Sequence, residues 1–155
     1  MISIPDDDPG LFLRYWNLEE ETRKVRHDGW FFTGDYARRD EEGYIWFLGR
    51  RDDIINTFGY RVSPHEIERV MKTHPDIGDC VAIGEDVGQD KTLVAACVVA
   101  KTGHSVTEEE LLAFGAQHLA GYKRPKMIHV MSDYPRTKNG KVIRSQLKQQ
   151  IEAER

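Results

Sequence analysis

The chain has little of what marks a specialised environment. Only two of its 155 residues are cysteine. Cys80 and Cys97 lie in the apolar runs Cys80-Val81-Ala82-Ile83 and Ala95-Ala96-Cys97-Val98-Val99, so the expectation is two buried thiols and no disulfide framework or Cys-x-x-Cys motif. No apolar run approaches the roughly 20 residues that a membrane helix needs, which predicts no membrane span. The first ten residues hold three aspartates and no basic segment, a pattern unlike a signal peptide, and a cytoplasmic location is the default expectation. The six histidines make neither a helical i,i+4 pair nor a His-x-His set, so no metal site is expected. Internal repeats and low-complexity stretches are also lacking.

Charge is abundant and unevenly placed. The formal total is −4, yet between Lys123 and Lys148 eight lysines and arginines stand against the single Asp133. A basic end on an acidic chain points to a polyanionic ligand. Nucleic acid is not the expected partner, because no recognisable binding module accompanies the cluster and only Tyr122 and Tyr134 are available for stacking. Within the cluster, Pro135-Arg136-Thr137-Lys138-Asn139-Gly140-Lys141 sets a lysine in a glycine-bearing turn just before a helical pattern. It is not a phosphate-binding P-loop: Val142 follows Lys141 where that motif needs Ser or Thr, and Pro135 stands where its first glycine belongs.

Hydropathy and turn chemistry predict an α+β fold: a small mixed β-sheet with helices, preceded by short β-strands. Trp16 to Arg26 reads as a short exposed helix. Trp30-Phe31-Phe32 and Tyr44-Ile45-Trp46-Phe47-Leu48 are β-prone, with a hairpin turn at Glu42-Gly43. A second hairpin turns about Gly59. Ser63, Pro64 and Glu66 predict a capping box opening a helix that His74-Pro75 ends. Strands are expected over Ile77 to Gly84, Leu93 to Ala100 and Met127 to Met131. Thr107 with Glu110 caps a helix that Gly121 ends, and a last helix begins near Ile143 or Arg144.

Two segments together carry a resemblance. Gly49-Arg50-Arg51-Asp52-Asp53-Ile54-Ile55-Asn56-Thr57-Phe58-Gly59-Tyr60-Arg61 and the Pro135-to-Arg144 run resemble, in that order, the C-terminal signatures of adenylate-forming acyl-CoA synthetases. Phe32-Thr33-Gly34-Asp35 resembles that family's Tyr-Arg-Thr-Gly-Asp segment, and Tyr122-Lys123-Arg124-Pro125 its Tyr/Phe-Lys-x-Pro run. Gly10 to Trp16 resembles its Gly-x-x-x-Gly-Tyr-Trp stretch, with Arg14 in place of the second glycine. Asn56 also departs from the pattern, standing where many relatives have lysine.

The resemblance implies roles that composition does not. Such enzymes activate a carboxylic acid with ATP and Mg2+ to an acyl-AMP, then pass the acyl group to coenzyme A. Lys141 matches the catalytic lysine, Asp35 and Arg50 the nucleotide-binding residues, and Asp52 the hinge of a mobile domain. Gly59, Tyr60, Arg61 and Lys123 match positions that bind coenzyme A. The implied organisation is the tail of a large AMP-binding domain over 1–49, a hinge over 50–53 and a C-terminal lid over 54–155. The phosphate loop and carboxylate pocket would lie in a missing N-terminal large domain, so the expectation is a carboxylic acid:CoA ligase portion that is inactive alone. Two alternatives stand beside it: a non-catalytic interaction or regulatory domain, and an adenylation-domain lid serving a carrier protein. Lys141 further resembles the site at which protein acetyltransferases silence acyl-CoA synthetases.

Overall fold

The structure is a computed structural model that describes residues 1–89 and 91–154. It divides into two units, Met1–Asp52 and Asp53–Arg155. No described helix is long and apolar enough to cross a membrane.

The first unit is built from short pieces. Strand β1 (Ser3–Pro5), helix α1 (Glu19–Val25), β2 (Arg26–His27) and β3 (Trp30–Phe32) precede the hairpin of β4 (Asp35–Arg39) and β5 (Ile45–Arg50). β3 is the centre of an antiparallel sheet ordered β1-β3-β2. The β4–β5 turn is organised by Asp40, whose carboxylate accepts the Tyr44 amide at 2.8 Å and the Trp46 indole N–H at 2.6 Å. The Trp46 bond is the main cause holding the Asp40 carboxyl below its usual range. Hydrophobic side chains find little shelter here. Ile45, Trp46 and Phe47 of β5 are 65%, 55% and 54% exposed, and the buried hydrophobics all lie from Ile55 onward.

The second unit has the core. Its elements are β6 (Ile55–Thr57), β7 (Tyr60–Val62), α2 (Pro64–Met71), β8 (Ile77–Asp86), β9 (Thr92–Ala100), α3 (Glu108–His118), β10 (Met127–Val130) and α4 (Arg144–Ala153). β9 is central, antiparallel to β8 and parallel to β10, with α3 in the crossover that the parallel pair requires. Side chains alternate across a strand, so β8 and β9 serve two cores at once. Cys80, Ala82, Val94, Ala96 and Val98 pack with Ile67 and Met71 of α2 and Leu111 of α3. Val81, Ile83, Ala95 and Cys97 pack on the other face with Tyr134 and with Leu147 and Ile151 of α4. A strand covered on both faces reads as an unbroken apolar run, which explains Val94 to Val99.

Both cysteines are free and buried. Thr107 caps α3 as expected, accepting the Glu110 amide. Three details differ from expectation. Ser63 makes no side-chain cap bond to α2, and the Glu66 carboxylate, the other half of the expected box, is paired with Lys123, 2.7 Å away. α3 ends at His118 rather than at Gly121, which opens a 3-10 turn. β1 and β2 have too few residues to show a hydropathy period.

Candidate functional site

The expected nucleotide-binding pair lies in the first unit. Asp35 opens β4 and Arg50 closes β5, and the antiparallel register sets them opposite each other. The Arg50 guanidinium reaches Asp35 Oδ1 at 3.0 Å and the Thr33 carbonyl at 2.7 Å. Gly34, at φ +76°, makes room for this arginine: a Cβ there would sit 3.0 Å from a guanidinium nitrogen. Arg50 borders an open cleft of about 450 Å³ whose lining includes Tyr15, Phe32, Thr33, Gly34 and Asp52. Asp52 is exposed in the 3-10 turn Arg51–Asp53.

In the second unit, β6 and β7 are joined by the two-residue turn Phe58-Gly59, both at positive φ (46° and 81°). That is the type I′ geometry, which matches the twist of a hairpin and favours glycine. Phe58, a non-glycine residue in this region and 68% exposed, holds a strained backbone on the surface. Tyr60, two residues on, stacks on Tyr122 with ring centroids 4.5 Å apart. Lys123 lies 5.3 Å from the Tyr122 ring centroid, and Arg61 is exposed on β7. The surface thus joins an aromatic pair to the basic side chains of Arg61 and Lys123. Lys123 is not a free cation, however: its bond to Glu66 is the main cause raising its pKa.

Lys141 is exposed in a tight turn formed by residues 136–142. The Thr137 amide donates to the Lys141 carbonyl at 2.7 Å, the Lys141 amide to Thr137 Oγ1 at 3.1 Å, and Gly140 takes φ +80°. No carboxylate among the described residues comes within ion-pair reach of its ammonium. Arg136 fastens one end of the turn, donating to the Gly140 carbonyl, Asp79 and Asp133 at 3.1, 3.2 and 3.3 Å. Burial acts against the Asp79 charge, but bonds from Lys72, the Cys80 amide and Arg136 outweigh it and hold its carboxyl below the usual range. Sequence reasoning counted Arg136 and Arg144 as charge only and passed over Glu68 and Asp79. Their signal would have been two arginines flanking one glycine-lysine turn.

The expected site residues therefore form three groups: Asp35 with Arg50, Gly59-Tyr60-Arg61 with Tyr122 and Lys123, and Lys141 in its own turn. One His and carboxylate cluster among the described residues, His74, Asp76 and Glu110, has ligand atoms within 4.8 Å of one another. The Asp76 amide donates to His74 Nδ1 at 3.2 Å, which leaves Nε2 as the N–H facing Glu110 at 3.4 Å. Asp76 Oδ1 is in turn paired with His104 Nδ1, so the group is held by contacts within the protein.

Residues 66–141 match the AMP-binding enzyme C-terminal domain. The chain is 40% identical over 139 residues to a long-chain-fatty-acid–CoA ligase of Bacillus subtilis, aligning 90% of itself with 25% of that protein. It is 38% identical to a crotonobetaine/carnitine–CoA ligase of Citrobacter koseri over 89% of itself and 27% of that protein. Among solved structures, ATP-bound MatB from Rhodopseudomonas palustris superposes with a TM-score of 0.82 at 34% identity, over 92% of this chain and 28% of that one. The chain thus spans about a quarter of the length of the curated relatives it matches.

Proposed function

We propose that the chain, whose residues 66–141 match the AMP-binding enzyme C-terminal domain, forms the closing part of an ATP-dependent carboxylic acid:CoA ligase whose adenylating pocket lies in a preceding large domain. The observation that supports this most is the combination of 90% coverage of the chain with 25% coverage of a ligase relative. The first unit fits the same reading, since Ile45 and Trp46 are 65% and 55% exposed on β5 and large apolar patches mark docking surfaces.

In the first half-reaction a carboxylate oxygen attacks the α-phosphorus of MgATP, the bond to the β-phosphate bridging oxygen breaks, and pyrophosphate leaves with its electrons. Negative charge builds on the α-phosphoryl oxygens. A lysine ammonium held on a rigid turn meets that charge without reorganising, and this is the role of Lys141. Asp35 accepts hydrogen bonds from the vicinal ribose hydroxyls, and Arg50 holds Asp35 in place while offering donors to the nucleotide. In the second half-reaction the thiolate of coenzyme A attacks the acyl carbon and AMP leaves. The Tyr60 and Tyr122 faces with Arg61 take the nucleotide end of coenzyme A, and Gly59 allows close backbone approach. Asp52 absorbs the backbone change between the two steps. The exposed Lys141 also suits a protein acetyltransferase, because acetylation removes the cation the first step needs.

The test fuses this chain behind the large domain of the Bacillus subtilis relative in place of its own C-terminal domain. The fusion should release pyrophosphate only with an added fatty acid and then consume coenzyme A, while the chain alone does neither. Carboxylate-dependent pyrophosphate release by the chain alone would overturn the division of labour. A folded, inactive fusion beside an active parent would overturn the ligase reading.

A further inference from the structure

Of the basic residues near Lys141, Arg144 is the one drawn inward. It opens α4 three residues after Lys141, and its side chain is 16% exposed. Its guanidinium ends on three oxygens: Glu68 Oε1 at 2.7 Å, the Ala82 carbonyl at 3.0 Å and Asp53 Oδ2 at 3.4 Å. Glu68 is buried on α2, and its Oε1 also accepts the Ala82 amide at 2.9 Å. Ala82 belongs to β8, the edge of the three-stranded sheet. Both of its main-chain groups are therefore satisfied by the two halves of one ion pair, which stands where a neighbouring strand would.

This arrangement bears on the lysine turn. Arg136 ties the start of the turn to Asp79 of β8, and Arg144 ties its end to Ala82 of the same strand. Between these anchors the Ile143 amide donates to the Pro135 carbonyl at 2.8 Å and closes the loop. Arg144 thus meets in one planar fork the strand that anchors the turn, the helix beneath it and the residue following Asp52.

We propose that Arg144, held by Glu68, is a positioning residue for Lys141, with Asp53 fastening the segment after Asp52 to the same guanidinium. The catalytic part of this proposal rests on the reading of Lys141 above; the mechanical part does not. A lysine keeps the charge at position 144 and loses the fork, and Glu68→Gln keeps an acceptor for Ala82 and loses the ion pair. Either change releases the end of the turn while leaving the β8–β9 ladder intact.

Amide hydrogen exchange on the chain itself tests the mechanical part. Arg144→Lys and Glu68→Gln should each speed exchange at Thr137, Lys141 and Ile143 about 10-fold or more, with Cys97 and Val98 in β9 unchanged. If a single variant fails to fold, the double variant Glu68→Gln/Arg144→Met, which leaves no buried charge unpaired, should show the same selective loosening. Unchanged exchange in the turn, or an equal increase in β9, would overturn the proposal. In the fusion enzyme, Arg144→Lys should lower carboxylate-dependent pyrophosphate release about 10- to 100-fold with the KM for ATP within about twofold, while thioester formation from supplied acyl-AMP persists. If Lys141→Ala abolishes adenylation and Arg144→Lys spares it, the positioning role falls and Lys141 stands. If Lys141→Ala spares adenylation, the reading of Lys141 falls, and the exchange result alone decides whether Arg144 holds the turn.

Discussion

Gly84 on β8 is the position where one added carbon has a calculable effect. A Cβ there would lie 2.8 Å from Thr92 Cγ2 and 3.1 Å from Ile55 Cγ2, closer than the carbon contact optimum of about 3.5–4.0 Å. Thr92 is β-branched and stiff at χ1, and Ile55 is buried in the core, so neither methyl moves freely. Overpacking of this size costs about 1–3 kcal/mol. Against it stands the entropy an alanine removes from the unfolded chain, about 0.4–1 kcal/mol. Gly84→Ala should therefore destabilise the second unit by about 1 kcal/mol on balance, and by at most about 2.5 kcal/mol. Thr92→Ser deletes the nearer methyl, so the double variant should recover part of the loss, with a coupling energy of about 0.5–1 kcal/mol. Urea melts followed by far-UV circular dichroism are the assay, because Trp16, Trp30 and Trp46 all lie in the first unit and their fluorescence is blind to this core. A Gly84→Ala chain as stable as the original, or effects that add to within about 0.3 kcal/mol, would refute the steric account.

Four further outcomes are expected. Asp79 has a depressed folded pKa, so its contribution is present above the unfolded carboxylate range and is lost as pH falls through the folded value. Asp79→Asn should accordingly lower stability at pH 7 and make a shrinking difference as pH drops below about 4, read from urea melts at the two pH values. Burial pushes the Cys97 thiol up to about 12 and raises Cys80 as well, so a thiol reagent at pH 8 should label neither until the chain is unfolded; rapid native labelling would contradict the packing. In the fusion enzyme, Lys141→Ala should cripple adenylation while sparing thioester formation from supplied acyl-AMP, and Asp52→Pro should do the reverse; equal losses in both steps for both variants would sink the hinge assignment. Tyr122→Ala should raise the KM for coenzyme A several-fold with adenylation unchanged, because base stacking on an aromatic face contributes about 1–3 kcal/mol; an unchanged KM would remove the stacked pair from the coenzyme site.

What the sequence discloses is local, and what it hides is paired over distance. The Thr107 cap is legible because donor and acceptor lie three residues apart on one chain segment. The Phe58-Gly59 turn and the continuous run in β9 are legible for the same reason. The Ser63–Glu66 box carries an equally good local signal and does not form: Ser63 makes no cap bond, and Lys123, 57 residues away, takes the Glu66 carboxylate. No period marks Glu68 as the partner of Arg144 either. On α2 it reads as one more surface carboxylate, and only the three-dimensional meeting with β8 and α4 makes it a buried one.

The ion pair at Ala82 also bears on how the second unit behaves in a crowded solution. A sheet edge with open amides and carbonyls invites a strand from another molecule. On β8 the midpoint of that edge is occupied by the Glu68 and Arg144 side chains, and an incoming strand would have to evict both and strand a buried carboxylate. The opposite edge, β10, is only four residues long, too short to template a stable ladder. The same guanidinium therefore makes the sheet a poor seed for cross-β growth, and charge-removing variants at position 144 should aggregate sooner than their loss of stability alone accounts for.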